Sequence, residues 1–223
     1  MSAKGLAIKM SLNKELSTVY EQFLETAPKE VSSVTNDAVN NFKSVYDPAR
    51  AIQPGSAFPK FQLTDATGNK VSLNDLLAKG AILVSFYRGE WCPFCNLELR
   101  ALQAHLDDFH QKGVTLVAVS PELPDQSLST SEKLSLKFPV LSDVGNQLAK
   151  QLGLLFAQPD SMRTVFDKFG VDWKQRYGND DLEVPVPATI LVDQKGIVRN
   201  TFVNPEYRYR LEPETALQWI DQI

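Results

Sequence analysis

Ala81-Ile82-Leu83-Val84-Ser85-Phe86-Tyr87-Arg88-Gly89-Glu90-Trp91-Cys92-Pro93-Phe94-Cys95 joins a continuous apolar run to two cysteines three positions apart. A run apolar at every position, rather than at alternate ones, fits a strand buried on both faces. The cysteines follow it at once, and Pro93 suits the first turn of a helix, where its missing N–H is not needed. Leu99, Leu102, Leu106 and Phe109 then form an apolar stripe, which predicts a helix from Leu97 to Lys112 stopped by Gly113. Val114 to Ser120 is a second buried strand. Strand, helix, strand in this order is a βαβ unit with parallel strands.

Downstream, Gln126–Lys137 predicts a helix, Phe138–Asp143 a short strand and Asn146–Leu152 another helix. Residues 154–184 carry scattered apolar positions (Phe156, Met162, Val165, Phe166, Phe169, Trp173) that suggest an inserted helix. Ala188–Asp193 and Ile197–Val203 flank a Gln194-Lys195-Gly196 turn and read as a hairpin, with a closing helix over Glu212–Ile223. Upstream, Phe58–Leu63 alternates like a strand, Asp65–Lys70 reads as a turn, and Ser72 caps a short helix. Residues 11–46 show helical spacing, broken near Pro28, and Pro48, Pro54 and Gly55 punctuate the boundary that follows. The expected organisation is a helical extension over residues 1–50 and an α/β domain over 51–223. The extension either packs on that domain or serves as a dimerisation or capping arm.

The chain has 223 residues, enough for one domain with an extension. Its net charge of −4 offers no polycationic surface to a nucleic acid. No stretch approaches the ~18 apolar residues of a membrane span, and Asn13, Lys14 and Glu15 interrupt any signal-peptide core. A cytoplasmic location is the expectation. With only two cysteines, the chain lacks a disulfide framework. His105 and His110 complete a superficial two-Cys, two-His pattern, but roughly 15 Å of helix at ~1.5 Å per residue separates Cys95 from His105. The pair is therefore read as a redox dithiol needing neither metal nor cofactor, at a helix N-terminus that favours a thiolate.

The segment Phe86 to Glu98 resembles the active-site segment of the peroxiredoxin-like branch of the alkyl hydroperoxide reductase and thiol-specific antioxidant family, and also the Trp-Cys-x-x-Cys turn of thioredoxins. The likeness runs across roughly residues 51–223 and includes Phe61-Gln62-Leu63, Val117-Ala118-Val119-Ser120, Phe138–Asp143 and Ile190–Asp193. It implies a thioredoxin-like fold, a mixed central sheet flanked by helices. Aligned on the family's Pro-x-x-x-Thr-x-x-Cys motif, Arg88 takes the proline position, Cys92 the threonine and Cys95 the peroxidatic cysteine. The family's later catalytic arginine is replaced by Pro187, and Val186-Pro187-Ala188-Thr189 resembles the cis-proline loop of thioredoxins.

The resemblance implies a peroxidase that reduces hydrogen peroxide or organic hydroperoxides through a sulfenic acid and a Cys92–Cys95 disulfide, recycled by thioredoxin or by glutathione and glutaredoxin. Alignment places Cys95 first in the attack, while the exposure expected of a thioredoxin-like turn places Cys92 first. Arg88, Trp91, Glu98 and Pro187 are the supporting candidates. Arg88 is either a replacement cation or a surface partner of Glu90, and Glu98 a supporting or a surface carboxylate. Trp91 either covers the dithiol or packs in the core. A protein disulfide oxidoreductase using Cys92 as the attacking thiol, and a non-catalytic redox sensor, are the other readings. A homodimer is compatible with the helical arm.

Overall fold

The computed structural model describes residues 10–223. The decisive run forms strand β3 (Ala81–Phe86), reached after β1 (Gln62–Asp65), β2 (Lys70–Ser72) and helix α3 (Leu73–Leu77). Ser72 and Asp75 close a reciprocal capping box at the start of α3, as the sequence suggests. After the cysteines come α4 (Pro93–Ala104), α5 (Leu106–Gln111) and β4 (Val114–Ser120), with β3 and β4 parallel from Ala81↔Val114 to Phe86↔Val119.

The rest of the sheet adds β5 (Val140–Ser142), β8 (Ala188–Val192) and β9 (Val198–Val203), giving the order β2-β1-β5-β4-β3-β8-β9. The sheet is mixed: β4 pairs parallel with β5, while β8 runs antiparallel to both β3 and β9. Helices α6 (Pro124–Lys133), α7 (Gln147–Gln151) and α10 (Pro213–Ile220) complete the flanking layers. Successive β3 residues point to opposite faces. Leu83 therefore joins one core with Leu99, Leu102 and the two cysteines, and Ile82, Val84 and Phe86 join the other.

Three elements differ from the sequence expectation. The helix expected over Leu97–Lys112 is two helices, because the N–H of His105 turns back to the Leu102 carbonyl and the helix restarts. The strand expected from Phe58 begins only at Gln62: Pro59 has no N–H for a ladder, and Phe58 N–H bonds Gly196 instead. The single inserted helix is a small subassembly made of strand β6 (Leu155–Ala157), α8 (Met162–Lys168), α9 (Trp173–Tyr177) and strand β7 (Glu183–Pro185). Gly170 and Gly178 end its two helices at positive φ, and β6 pairs antiparallel with β7.

The N-terminal segment forms α1 (Leu12–Thr26) and α2 (Lys29–Val45), broken at Pro28. Both pack on their own chain. Leu12 and Leu16 enter the same core as the cysteines, and Val31 and Ala38 join Met162, Val165 and Phe166 of the insertion. Among the described residues no helix is long and apolar enough to cross a membrane.

Candidate active site

Tyr87 continues β3 by donating to the Val119 carbonyl, and the chain then leaves the sheet through Arg88-Gly89-Glu90-Trp91. Cys92 is the N-cap of α4, in extended conformation, with Pro93 at the first helical position. Its sulfur lies 3.4 Å from the Cys95 N–H, in the place where a serine or aspartate oxygen usually caps a helix. Both cysteines are free and fully buried.

Two arginines reach the sulfurs. Arg88 donates from Nη2 to Cys92 Sγ at 3.1 Å and is itself buried, its guanidinium 3.7 Å from the Tyr207 ring centre and 4.9 Å from that of Trp91. Arg210 lies with Nη2 3.5 Å from Cys95 Sγ and donates from Nε to Glu98 at 2.6 Å. Burial opposes ionisation of the Cys92 thiol. A hydrogen bond from the Cys95 thiol and the charges of Arg88 and Arg210 more than offset it, holding Cys92 well below the ordinary thiol range. Cys95 moves the other way: burial raises it, and so do its hydrogen bond to Cys92 and the negative charge there. The pair is thus one thiolate beside one thiol, as nucleophile and resolver require.

Arg88 is therefore a buried partner of the dithiol and not a surface ion pair with Glu90. Glu90 pairs with Lys133 at 2.7 Å and Arg176 at 3.1 Å instead. Glu98, for which a surface position was one expectation, is 1% exposed, held by Arg210 and 3.5 Å from Thr189 Oγ1. Burial pushes its carboxyl up to about 7, against the opposing pull of Arg210. Trp91 is half-buried; it donates to Tyr177 Oη at 2.5 Å and packs edge-on to Phe166. Pro187 is buried just before the Ala188↔Phe86 pair, which sets it beside the end of β3. Among the described residues every peptide bond is trans, so Val186–Pro187 lacks the cis geometry of the loop it resembles.

Sequence reasoning missed a second layer. Glu122 is fully buried after β4; it accepts from the Glu90 N–H at 3.2 Å and pairs with Arg176 Nη1 at 2.9 Å. Burial lifts its carboxyl to about 7, partly countered by Arg176. Tyr177 Oη donates to the Arg88 carbonyl at 2.8 Å. These bonds clamp residues 88–91 to the insertion. Tyr207 and Arg210 were missed as well; their only signal is the alternation Tyr207-Arg208-Tyr209-Arg210. Among the described residues no cluster of three or more His, Cys, Asp or Glu is placed to hold a metal ion. His105 closes α4 and contacts Asp108 and Glu214.

A seven-stranded mixed sheet with a helix-capping dithiol at the end of a central strand defines a thioredoxin-fold thiol protein. The family model for AhpC/TSA matches residues 54–201. The chain belongs to that family. It is 31% identical over 103 residues to peroxiredoxin Bcp of Escherichia coli strain K12, covering 46% of this chain and 65% of that protein. It is 29% identical over 172 residues to thiol-disulfide oxidoreductase ResA of Bacillus cereus, covering 77% of this chain and 82% of that protein. The crystal structure of peroxidoxin BcpB from Mycobacterium tuberculosis superposes with a TM-score of 0.60 at 19% identity, over 77% of this chain and 98% of that one. Helices α1 and α2, Tyr207 and Arg210 all fall outside the matched stretch.

Proposed function

We propose that this chain is a thiol-dependent peroxidase in which Cys92 attacks the hydroperoxide and Cys95 resolves the product. The observation that carries the ordering is the geometry at Cys92, whose sulfur caps α4 at 3.4 Å from the Cys95 N–H and accepts from Arg88 Nη2 at 3.1 Å; in line with it, the Cys92 thiol is lowered and the Cys95 thiol raised. Alignment with the family motif suggested the reverse order, and the electrostatics of the site support this one. The Cys92 thiolate attacks the terminal hydroxyl oxygen of the hydroperoxide and displaces the other oxygen as the leaving group. The S–O bond forms as the O–O bond breaks, leaving a sulfenic acid and an alkoxide or hydroxide that takes a proton from water. Arg88, with Nη2 on the attacking sulfur, supplies the cation beside the developing negative charge. The Cys95 thiol then attacks the sulfenic sulfur, and water leaves as the disulfide forms. Three residues of separation across the first helical turn suit that bond. Two electrons from an external dithiol, thioredoxin or glutathione with glutaredoxin, return the pair to its reduced state.

Exchange with protein disulfides is a second reading, favoured by the likeness to a thiol-disulfide oxidoreductase. Complete burial of both sulfurs weighs against it, since a protein disulfide must itself reach the attacking sulfur.

Mixing the reduced protein with a modest excess of hydrogen peroxide, while following tryptophan fluorescence and sulfenate trapping, tests the assignment. Cys92→Ser is expected to lose fast oxidation. Cys95→Ser is expected to keep it and accumulate the trapped sulfenate. Fast oxidation surviving only in Cys92→Ser reverses the roles. Slow oxidation of the unmodified protein, with efficient reduction of insulin disulfides, replaces the peroxidase reading with the second one.

A further inference from the structure

Arg88 lacks what the neighbouring arginines have. Arg176 holds Glu122 and Glu90, Arg208 holds Glu206, and Arg210 holds Glu98. Among the described residues no Asp or Glu oxygen lies within ion-pair distance of Arg88, and its Nε finds no hydrogen-bond partner. Two aromatic faces take the place of a carboxylate. The guanidinium carbon lies 3.7 Å from the Tyr207 ring centre and 4.9 Å from that of Trp91. A ring face attracts a cation without carrying a net charge. The Cys92 sulfur, 3.1 Å from Nη2, is thus the group left to balance Arg88.

Trp91 belongs to the loop that carries Arg88, and Tyr207 does not. Tyr207 arrives with residues 204–212, past the stretch 54–201 matched by the family model. Both of its chain neighbours are tied to the N-terminal helices. Glu206 pairs with Lys43 of α2 at 3.3 Å. Arg208 lies 3.8 Å above the Tyr20 ring of α1 and donates to Asn36 of α2 at 3.3 Å. The Phe94 ring of α4 stands edge-on to Tyr207 at a centroid distance of 5.7 Å. The place of the Tyr207 ring is therefore fixed by contacts that do not involve Arg88.

We propose that Tyr207 is a positioning residue for the attack at Cys92: its ring face holds the Arg88 guanidinium against the sulfur and leaves the whole positive charge to the thiolate. Only the kinetic consequence rests on the peroxidase reading. A carboxylate in place of the ring would neutralise Arg88 and draw its donors away from the sulfur. An aliphatic side chain would let the guanidinium turn away from it. A flat ring does neither, because guanidinium stacks on aromatic faces while its edge donors stay free. Residues 204–212, with the helices α1 and α2 that hold them, thereby take part in setting the nucleophile.

The reduced full chain is titrated by thiolate absorbance in the ultraviolet, and its oxidation by hydrogen peroxide is followed across pH. Cys95 and Arg210 also act on the Cys92 thiol, and both are kept in every variant. An adjacent opposite charge commands ~1–3 units of a titration midpoint, and Tyr207→Leu is expected to forfeit about one of them. At the pH where the unmodified thiol is half ionised, that shift cuts the thiolate, and with it the oxidation rate, about fivefold, and the deficit vanishes at alkaline pH. Tyr207→Phe keeps the ring face and is expected to keep the midpoint. Phenylalanines bearing successive ring fluorines, incorporated at position 207, preserve the shape while weakening the pull of the face on a cation, so they decide the matter where the leucine variant fails to fold. The midpoint is expected to rise along that series, and to stay flat along it in an Arg88→Met background. A flat series with Arg88 in place, or an equal rise without it, overturns the proposal. So does a Tyr207→Phe midpoint displaced as far as that of Tyr207→Leu, which assigns the effect to the hydroxyl. The titration needs no peroxide. A protein with the expected midpoints that hydrogen peroxide oxidises only slowly keeps Tyr207 in this role and loses the peroxidase reading.

Discussion

Arg210 donates from Nε to Glu98 at 2.6 Å while its Nη2 lies 3.5 Å from Cys95 Sγ, so one buried guanidinium joins the carboxyl three positions after Cys95 to Cys95 itself. The pair is nearly dry, at 3% and 1% exposure. Above about pH 7, where Glu98 ionises, the two form a dry charge pair, and removing one partner strands the other. Arg210→Met is expected to destabilise the protein by ~3–5 kcal/mol and to slow disulfide formation at Cys95. Arg210→Lys, which keeps the charge but not the planar fork, is expected to recover part of the stability and less of the rate. Urea unfolding and single-turnover oxidation of both variants check this. A full-rate Arg210→Met protein would remove Arg210 from the site.

The buried carboxyls make stability depend on pH in an unusual direction. Glu98 and Glu122 are each lifted by burial from 4.5 to about 7. Between those values the folded chain holds the proton and the unfolded chain does not. Their contribution is fully present below about 4.5 and is lost as pH rises to about 7, by up to ~3 kcal/mol per group. Asp193 and Glu206 are shifted downward and act with the opposite sign, so the two carboxyls are isolated by difference. Glu98→Gln and Glu122→Gln are each expected to narrow the loss in unfolding free energy between about pH 5 and pH 8 relative to the unmodified protein. An unchanged difference would contradict a protonated carboxyl at that position.

Arg88 governs how much Cys92 is ionised. Its guanidinium is among the causes that lower the thiol, through both charge and a direct hydrogen bond. In Arg88→Met the thiol should titrate at higher pH. At neutral pH the thiolate fraction falls and peroxide oxidation slows, with the larger deficit at mildly acidic pH and recovery as pH is raised. Thiolate absorbance in the ultraviolet, titrated with and without the substitution, gives the shift directly. An unmoved titration with a slowed reaction would mean that Arg88 acts on the peroxide and not on the sulfur.

The parts of the molecule visible in the sequence are those whose signal is local. The β3 and β4 runs are apolar at every position because both faces are covered, and that pattern survives without any knowledge of partners. Cys92 and Cys95 are readable because their spacing equals one helical turn. Arg210 was not, since it meets Cys95 across 115 positions, and Glu122 reaches Glu90 across 32. No periodicity links residues so distant. The insertion was blurred for a different reason: its apolar residues are divided between two helices of 7 and 5 residues and two short strands, each too brief to establish a period.

Asn13 ties the first helix to the segment that carries Arg210. Its side-chain amide donates to the Arg210 carbonyl at 2.8 Å and to Glu212 at 2.7 Å, and its oxygen accepts from the Arg210 N–H at 3.1 Å. Glu212 in turn accepts the Leu12 and Asn13 N–H groups at the start of α1. Asn13→Ala removes three bonds worth ~1 kcal/mol each in net terms. A stability loss of ~2–3 kcal/mol is expected, together with slower disulfide closure and little change in the initial attack by Cys92. Equal slowing of both steps would place the effect in the fold at large and not at Arg210.

Gly89 is the tightest point of the loop that delivers Cys92. A Cβ there would lie 2.7 Å from Trp91 Nε1, 2.8 Å from Glu122 Oε1 and 2.8 Å from Tyr177 Oη. These are not free side-chain ends that can swing aside. Trp91 is bonded to Tyr177, Tyr177 to the Arg88 carbonyl, and Glu122 to Arg176 and the Glu90 N–H. A methyl group must therefore displace either the clamp or the backbone that carries Arg88. Gly89→Ala is expected to lower stability by ~1–3 kcal/mol, the usual range for overpacking. Because Arg88 moves with the loop, the Cys92 thiol should also titrate higher. Tyr177→Phe removes one bond of the clamp without adding bulk, so it should reproduce a smaller part of both effects. Stability lost in Gly89→Ala with an unchanged Cys92 titration would show that the clamp holds the fold without setting the Arg88–Cys92 contact.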